Sequence, residues 1–484
     1  MILTVDFGTS VTKVAVWSEE GPVALARAEL VTTRPQLGWA EQDPVGWWTS
    51  VVVACAEARA IDPEAFGSVA VVSCSAARQT FVPLTSAAEP LGRGILWSDR
   101  RGVAEATALA EEMGGDEAVR RRTGVPLDGG AVAAKIAWIA SHQPGRLAAC
   151  DWLLSPRDLV VWRLTGEVVT DPTLASRTGL YDIEGQPVEE LVGPAAGKLP
   201  PVVPSHHVAG WLRAVPAAEL GLRPGIPVVI GAGDRPCEVL GAGASTDRPM
   251  VSWGTTANVS VPVGVRPDPA PTSAVLSRGA VAGWLLEGGL SAAGSFLAWL
   301  GRITGRDPDD LAKLAAASPP GARGVVAVPW LDGARAPWWR DSARAGFVGL
   351  ASAHDAGDLA RAVIESVASE VVRCLETVTS GRPGGERALG LTLGGAGTGI
   401  PLWVEVLTAM TGLPATRRRS GEAASAGAAL LAARALGMEL PLDRLDPLVA
   451  ETEPDPEAVA RYRELRPTVD QVTAVAVDLK LPLP

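Results

Sequence analysis

The run Asp6-Phe7-Gly8-Thr9-Ser10-Val11-Thr12-Lys13 collects a carboxylate, a glycine, hydroxyls and an ammonium in one short stretch. A carboxylate at a strand end can hold Mg²⁺ directly or through water. Gly8 lets backbone approach a phosphate closely. Thr9 and Ser10 offer hydroxyl and amide donors, and Lys13 supplies a cation. A plain hairpin turn with a solvated aspartate fits the same letters, so both readings stand at this point. A second group, Gly231-Ala232-Gly233-Asp234, follows the apolar run Pro227-Val228-Val229-Ile230. A carboxylate just past a buried strand sits where ligands bind in α/β sheets. Such a carboxylate can take a proton from an attacking hydroxyl, although a glycine-flanked turn needs no such role. A third group, Gly394-Gly395-Ala396-Gly397-Thr398-Gly399, suits close approach of a nucleotide to backbone. It is not the dinucleotide fingerprint G-x-G-x-x-G.

Other chemistries find little support. The sequence has no G-x-x-x-x-G-K-[ST], no H-E-x-x-H, no G-x-S-x-G and no H-R-D loop. Its four histidines leave histidine chemistry poorly supplied, and His354 reads as a residue leading into a helix. The five cysteines are odd in number and widely spaced, with no C-x-x-C, which fits a reducing compartment and no disulfide framework. The formal net charge of −11 argues against nucleic-acid or anionic-membrane partners. No uncharged apolar run reaches the ~18 residues of a membrane span. The first residues lack the pattern of a signal peptide, so a cytoplasmic protein is expected.

The elements that must position these residues read as α/β. Leu3, Val5 and Phe7 alternate, Gly8-Thr9-Ser10 breaks the run, and Val11, Val14 and Val16 resume it. The pattern recurs from Met250 to Val263 around Gly254-Thr255-Thr256, about half the chain later. Two hairpins of one kind suggest two similar domains. From Asp358 the apolar residues Leu359, Val363, Ile364, Val367, Val371, Val372 and Leu375 fall on one face of a long helix. Asp355 or Asp358 is placed to cap it. The Ala-rich stretch from Glu422 to Leu436 predicts a closely packed helix. Beyond Leu440 the chain turns Pro- and acid-rich, which predicts a terminal extension or a surface helix. Sixteen Trp against five Phe and two Tyr assign core roles to Trp. Pairs such as Trp47-Trp48 and Trp338-Trp339 are the ones to test as a sugar-site lining.

Taken in order, the motifs resemble the FGGY carbohydrate kinases over residues 1–440. They are Asp6-Phe7-Gly8-Thr9, then Trp39-Ala40-Glu41-Gln42-Asp43-Pro44 with Trp47-Trp48, then Trp97-Ser98-Asp99-Arg100-Arg101. Val169-Thr170-Asp171-Pro172 with Ala175-Ser176, Gly231-Ala232-Gly233-Asp234 and Gly254-Thr255 follow. Arg344-Ala345-Gly346-Phe347-Val348-Gly349-Leu350 and Gly394-Gly395-Ala396-Gly397 complete the set. The resemblance implies an α/β fold of two ribonuclease-H/actin-like domains with an interdomain catalytic cleft. The domains are expected at 1–245 (sugar and phosphate side) and 246–440 (nucleotide side), with an extension at 441–484. It implies a kinase that uses ATP and Mg²⁺ on a hydroxyl of a small sugar or polyol. By the same likeness Asp234 matches the catalytic base, and Asp6 and Asp234 the metal carboxylates. Thr9, Ser10, Lys13, Gly254 and Thr255 match phosphate contacts, and Gly294, Gly394, Gly395, Ala396 and Gly397 the adenosine side.

The sugar side departs from the pattern. Ser75-Ala76-Ala77-Arg78-Gln79-Thr80 lies where xylulokinases carry Met-His-Gly, and it looks more like the glycerol kinase turn with Gln79 in place of an acid. Gln still donates and accepts hydrogen bonds. A tyrosine expected shortly before Lys135 is absent, with Gly130 near that point. After Asp234 the family commonly has Gln, where this chain has Arg235, which can contact a substrate or pair with Asp234 and lower its pKa. Arg78, Gln79, Asp99, Asp234 and Arg235 are thus the expected substrate contacts. The expected substrate is a ketopentose such as xylulose or a related four- to six-carbon ketose or polyol. A homodimer is compatible with this reading. The alternatives are an actin-like-fold ATPase or a sugar-binding regulator without kinase turnover.

Overall fold

The run Ile2–Phe7 forms a strand in which every residue is buried. A strand buried on both faces belongs inside a covered sheet. In the computed structural model, which describes residues 1–268, 271–281, 283–331, 333–380 and 388–479, it lies in the middle of six strands. The order is Val208–Trp211, Pro227–Gly233, Val71–Ala76, Ile2–Phe7, Val11–Ser18 and Gly21–Glu29. Pro227–Gly233 and Ile2–Phe7 both run parallel to Val71–Ala76, while the hairpin strands Val11–Ser18 and Gly21–Glu29 continue antiparallel.

The chain forms two compact units. The first comprises Met1–Gly243, Asp268–Leu285 and Glu422–Pro447, and the second Ala244–Pro267, Leu286–Gly421 and Leu448–Pro484. Neither is one continuous stretch like those expected from sequence at 1–245 and 246–440. The return of Glu422–Pro447 has a packing reason. The Ala-rich helix Ala423–Ala435 lies on the sheet of the first unit, with Ala426, Ala429, Ala432 and Ala433 buried beside Ile2, Trp17 and Val71. Ser425 Oγ accepts from the buried Trp17 Nε1 at 2.8 Å and shares a 2.6 Å hydrogen bond with Thr4 Oγ1. Glycines permit a close crossing with the helix Asp234–Ala242. A Cβ on Gly241 would sit 1.9 Å from the Ala423 carbonyl oxygen, and one on Gly427 equally close to that of Cys237.

The second unit repeats the plan. Its strands run in the order Trp284–Leu290, Ala257–Val263, Met250–Trp253, Leu391–Gly394, Ala415–Arg418 and Leu448–Thr452. Met250–Trp253 and Ala257–Val263 form the expected antiparallel hairpin, and Leu391–Gly394 runs parallel to both Met250–Trp253 and Ala415–Arg418. The long helix spans Ala356–Ser380 with Val363, Ile364, Val367 and Val371 at 0% exposure. Its start is capped reciprocally. Asp355 Oδ1 accepts from the Gly357 and Asp358 amides, and Asp358 Oδ2 accepts from the Asp355 amide. The stretch beyond Leu440 is more than an extension. Leu448–Thr452 joins the sheet edge, and in the helix Pro456–Val477 the Tyr462 hydroxyl donates to Glu365 Oε1 at 2.7 Å. Residues 480–484 of that stretch lie outside the described residues. No helix among the described residues is long and apolar enough to cross a membrane.

Of the tryptophan pairs, the first is core and the second is half-buried. Trp47 and Trp48 are buried, with their indole N–H groups on Gln42 Oε1 at 2.8 Å and Glu219 Oε2 at 2.6 Å. Trp338 Nε1 donates to the buried Glu370 at 2.7 Å.

Candidate active site

The first hairpin turn is tight because Gly8 N donates to the Val11 carbonyl at 3.0 Å, and a Cβ on Gly8 would lie 2.9 Å from that oxygen. Thr9 Oγ1 accepts from Trp97 Nε1 at 2.8 Å, which leaves the hydroxyl hydrogen to donate, and its carbonyl accepts from Gln42 Nε2 at 2.6 Å. Ser10 is exposed at the tip, where its carbonyl accepts from the Leu30 amide. Lys13 Nζ binds Glu422 Oε2 at 2.7 Å, and Arg27 Nη2 binds Oε1 at 2.6 Å. Two cations thus share one carboxylate beside the turn. Glu422 was legible only as the start of a helix, since nothing local links it to Lys13.

Asp6 is the last residue but one of the first strand and is buried, with Ser75 Oγ donating to its Oδ1. Burial raises its pKa, while Lys13 and the Ser75 hydrogen bond oppose the rise and the charges of Asp234 and Glu422 add to it.

Asp234 is delivered by a bulged strand. Val229 pairs with Ser73 but Ala232 with Ser75, so the strand carries one extra residue before its end. Gly231 takes φ +75° there, and a Cβ on it would fall 1.7 Å from the Cys74 carbonyl oxygen. Gly233 is required for a different reason. A Cβ there would strike Cγ and Cδ of Arg78 at 2.8 Å. The Arg78 stem thus lies on the glycine and brings its Nε to 3.5 Å from Asp234 Oδ1. Asp234 opens the helix Asp234–Ala242, accepts the Arg235 amide at 2.8 Å and keeps 34% of its side chain exposed. The carboxylate is therefore open to solvent and faced by a buried guanidinium.

The other expected sugar contacts divide. The Arg235 guanidinium pairs one turn on with Glu238 Oε2 at 2.6 Å, so the arginine that the structure sets on Asp234 is Arg78. Gln79 sits at φ +64°, and its Oε1 accepts from Arg177 Nη2 at 3.3 Å. Asp99 takes a scaffold position. It is 0% exposed and accepts from the Ala40 amide at 2.6 Å and from Arg101 Nε and Nη2 at 2.9 and 2.8 Å. With its oxygens turned inward, it fixes the Trp97–Arg101 turn and does not face solvent.

Lys135 supports the same turn from beneath. It is fully buried and donates to the Leu96 carbonyl at 2.6 Å and the Gln79 carbonyl at 3.2 Å. Burial pulls its pKa from 10.5 down to about 7, with Asp99 and Asp128 resisting and Arg100 and Arg101 reinforcing the fall. Between those values the unfolded chain holds one more proton than the folded one, so stability rises with pH across that window. We expect wild type to gain on Lys135→Met by on the order of 1 kcal/mol per pH unit as pH rises above 7. Urea unfolding of both proteins at a series of pH values from neutral upward checks this, and a flat difference would show that the lysine titrates normally.

In the second unit the three expected nucleotide groups come together. Gly294 N donates to the Gly254 carbonyl at 2.9 Å, and the Ala293 and Ser295 amides donate to the Thr255 carbonyl at 2.9 and 3.1 Å. A Cβ on Gly294, the first residue of the helix Gly294–Thr304, would meet the Gly254 oxygen at 2.7 Å. Leu391–Gly394 then ends beside the same hairpin. Gly395 takes φ +84°, and a Cβ on it would sit 2.3 Å from the Trp253 carbonyl oxygen. Gly397 passes the same tryptophan, and Thr398 Oγ1 closes the Ala396–Gly399 turn on the Gly395 carbonyl at 2.7 Å. Glycine is needed here because backbone runs against backbone.

Two units built on one mixed sheet, each with a Gly-Thr hairpin turn at its centre, define the ribonuclease-H/actin-like class. Models of the N-terminal and C-terminal domains of the FGGY family of carbohydrate kinases match residues 1–241 and 250–436. A glycerol kinase of Leptothrix cholodnii is 30% identical over 469 residues, covering 92% of this chain and 93% of the relative. A xylulose kinase of Escherichia coli is 28% identical over 481 residues, 97% of each. The solved structure of a ligand-bound xylulose kinase from Lactobacillus acidophilus superposes with TM-score 0.90 at 22% identity, over 99% of each chain. The chain belongs to the FGGY family of carbohydrate kinases. It is an enzyme that phosphorylates a sugar or polyol.

Proposed function

We propose that the enzyme transfers the γ-phosphoryl group of ATP to a hydroxyl of a neutral four- to six-carbon ketose or polyol, with Asp234 as general base. The observation that carries this reading is the Asp234 carboxylate itself, open to solvent and gripped from behind by Arg78. In the step proposed, Asp234 takes the proton of the sugar hydroxyl as its oxygen bonds to the γ-phosphorus. The bond from that phosphorus to the β-phosphate oxygen breaks, and ADP leaves. Such transfers depend on positioning and charge more than on covalent chemistry. Thr9 and Ser10 donate to phosphate oxygens, and the Lys13 and Arg27 cations, joined through Glu422, lie beside them. Gly254 and Thr255 serve the phosphates in the second unit, with Gly294 and Gly394 to Gly397 on the adenosine side.

Asp6 and Asp234 form an all-oxygen donor pair, of the kind Mg²⁺ takes when it keeps waters and substrate phosphates as its other ligands. They are the residues that would hold it. Bound there, Mg²⁺ supplies charge neutralisation on the phosphates.

A neutral substrate is favoured because the cations near Asp234 are already balanced. Arg235 pairs with Glu238 and Arg78 with Asp234. An ADP-release assay over glycerol, tetritols, ketopentoses, ketohexoses and an aldonate tests the reading. We expect turnover with a neutral member of the panel, and no sugar-dependent ADP release would defeat it. On the accepted substrate, Arg78→Ala should raise the sugar KM by ~10-fold or more, as loss of a charge-assisted hydrogen bond does, and leave the ATP KM nearly unchanged. The reverse pattern would move the sugar pocket away from Arg78.

A further inference from the structure

The strand that delivers Asp234 is gripped by a buried ionic network below the site. Arg157, 0% exposed on the helix Pro156–Thr165, donates from Nη1 to Asp171 Oδ1 at 2.7 Å and to the Gly231 carbonyl at 3.2 Å. Its Nη2 holds Asp158 Oδ1, also at 2.7 Å. Asp171 is equally buried. Its Oδ2 accepts from Ser205 Oγ at 2.6 Å, Thr173 Oγ1 at 2.7 Å and the Thr173 amide at 3.0 Å. Thr173 Oγ1 then accepts the Gly233 amide at 2.7 Å.

The orientation of Thr173 follows from its chemistry. A hydroxyl has one hydrogen to give. The Asp171 carboxylate takes that hydrogen, so the lone pairs are left to face Gly233. The buried carboxylate has Arg157 on one oxygen and the Ser205 and Thr173 donors on the other, which complete its shell. The network therefore holds the bulged strand at two points, the Gly231 carbonyl and the Gly233 amide. The second is the amide nitrogen of Gly233, the residue immediately before Asp234. Neither Asp171 nor Thr173 is exposed enough to meet a substrate.

We propose that Thr173, oriented by the Asp171–Arg157 pair, is a positioning residue that sets where the Asp234 carboxylate stands relative to the sugar hydroxyl. This rests on the reading of Asp234 as the base. It extends the catalytic apparatus to a buried threonine that never touches substrate.

The test is a set of variants of the full chain. Thr173→Val keeps the shape and removes the hydroxyl, while Thr173→Ser keeps the hydroxyl. A misplacement of about 1 Å costs ~10²-fold in rate, so Thr173→Val should lower kcat by ~10–100-fold with the sugar and ATP KM values changed little. Thr173→Ser should retain most of the wild-type kcat. In an Asp234→Asn background Thr173→Val should leave the residual rate nearly unaltered, because two changes on one pathway are not additive. The proposal is overturned by a wild-type kcat in Thr173→Val. It is equally overturned if Thr173→Ser is as slow as Thr173→Val, or if the fall is equal in both backgrounds. Ser205→Ala removes one donor from Asp171 without touching the strand and should give a smaller kcat loss. If Thr173→Val does not fold and Ser205→Ala is unchanged in kcat, the proposal also fails. A fast Asp234→Asn enzyme would remove the base reading itself, whereas a slow one beside a normal Thr173→Val removes only the positioning role.

Discussion

Asp234→Asn is expected to bind ATP with near-wild-type affinity and to turn over ~10²–10⁴-fold more slowly, the range general-base catalysis contributes. The asparagine is close in shape, and its Oδ1 still accepts the Arg235 amide that Asp234 accepts at 2.8 Å. What it lacks is the capacity to receive a proton. It also leaves the Arg78 guanidinium, 3.5 Å away, facing an amide in place of a charge, so some rise in the sugar KM accompanies the loss of rate. Calorimetric titration with ATP and a steady-state assay on the accepted sugar separate the two effects. A kcat within a few-fold of wild type would take Asp234 out of the chemistry.

The second large effect is expected at Asp6, with an opposite sign on stability. Asp6→Asn should lose turnover by ~10²-fold or more, the scale on which removing a preorganised electrostatic group acts. The folded protein should nevertheless be as stable as wild type or more so. Burial already works against the Asp6 carboxylate, as its raised pKa shows. An amide in the same place accepts the Ser75 hydroxyl without a charge to desolvate. Active sites commonly hold such a cost because activity needs the group that stability does not. Thermal unfolding beside the kinetic assay checks the pair of outcomes. A variant that loses stability and rate together would make Asp6 a structural residue.

The features legible in the sequence share a property: their information is local. The alternation around Gly8-Thr9 and Gly254-Thr255 announces two hairpins, and both exist with the expected partners. The apolar run before Asp234 announces a strand, and the spacing from Leu359 to Leu375 announces the long helix. The pairing of Arg235 with Glu238 is local too, since residues three apart share a helix face. Asp99 shows the opposite difficulty. An acid in a polar turn reads as solvent-facing, yet Arg101 and the Ala40 amide turn it inward, and only the fold brings Ala40 there. Partners far apart in sequence were closed to a local reading. Glu422 meets Lys13 across most of the chain, and Thr173 meets Gly233 from the short helix Pro172–Ala175. Two domains could be counted from the repeated hairpins, but not the return of Glu422–Pro447 to the first unit. An Ala-rich helix announces close packing and says nothing of what it packs on.

That return has a consequence for how the protein is made. The hairpin bearing Asp6 and Lys13 leaves the ribosome long before the helix that covers Trp17 and the Glu422 carboxylate that Lys13 and Arg27 share, which stands 409 residues after Lys13. At ~5–20 residues per second that delay is roughly tens of seconds. Throughout it, the nascent first unit presents a bare tryptophan-floored sheet face and two uncompensated cations. The unit stays incomplete until Glu422–Pro447 has been made, and a product truncated after Gly243 would keep those defects permanently, so chaperone binding and proteolysis have their target on that face.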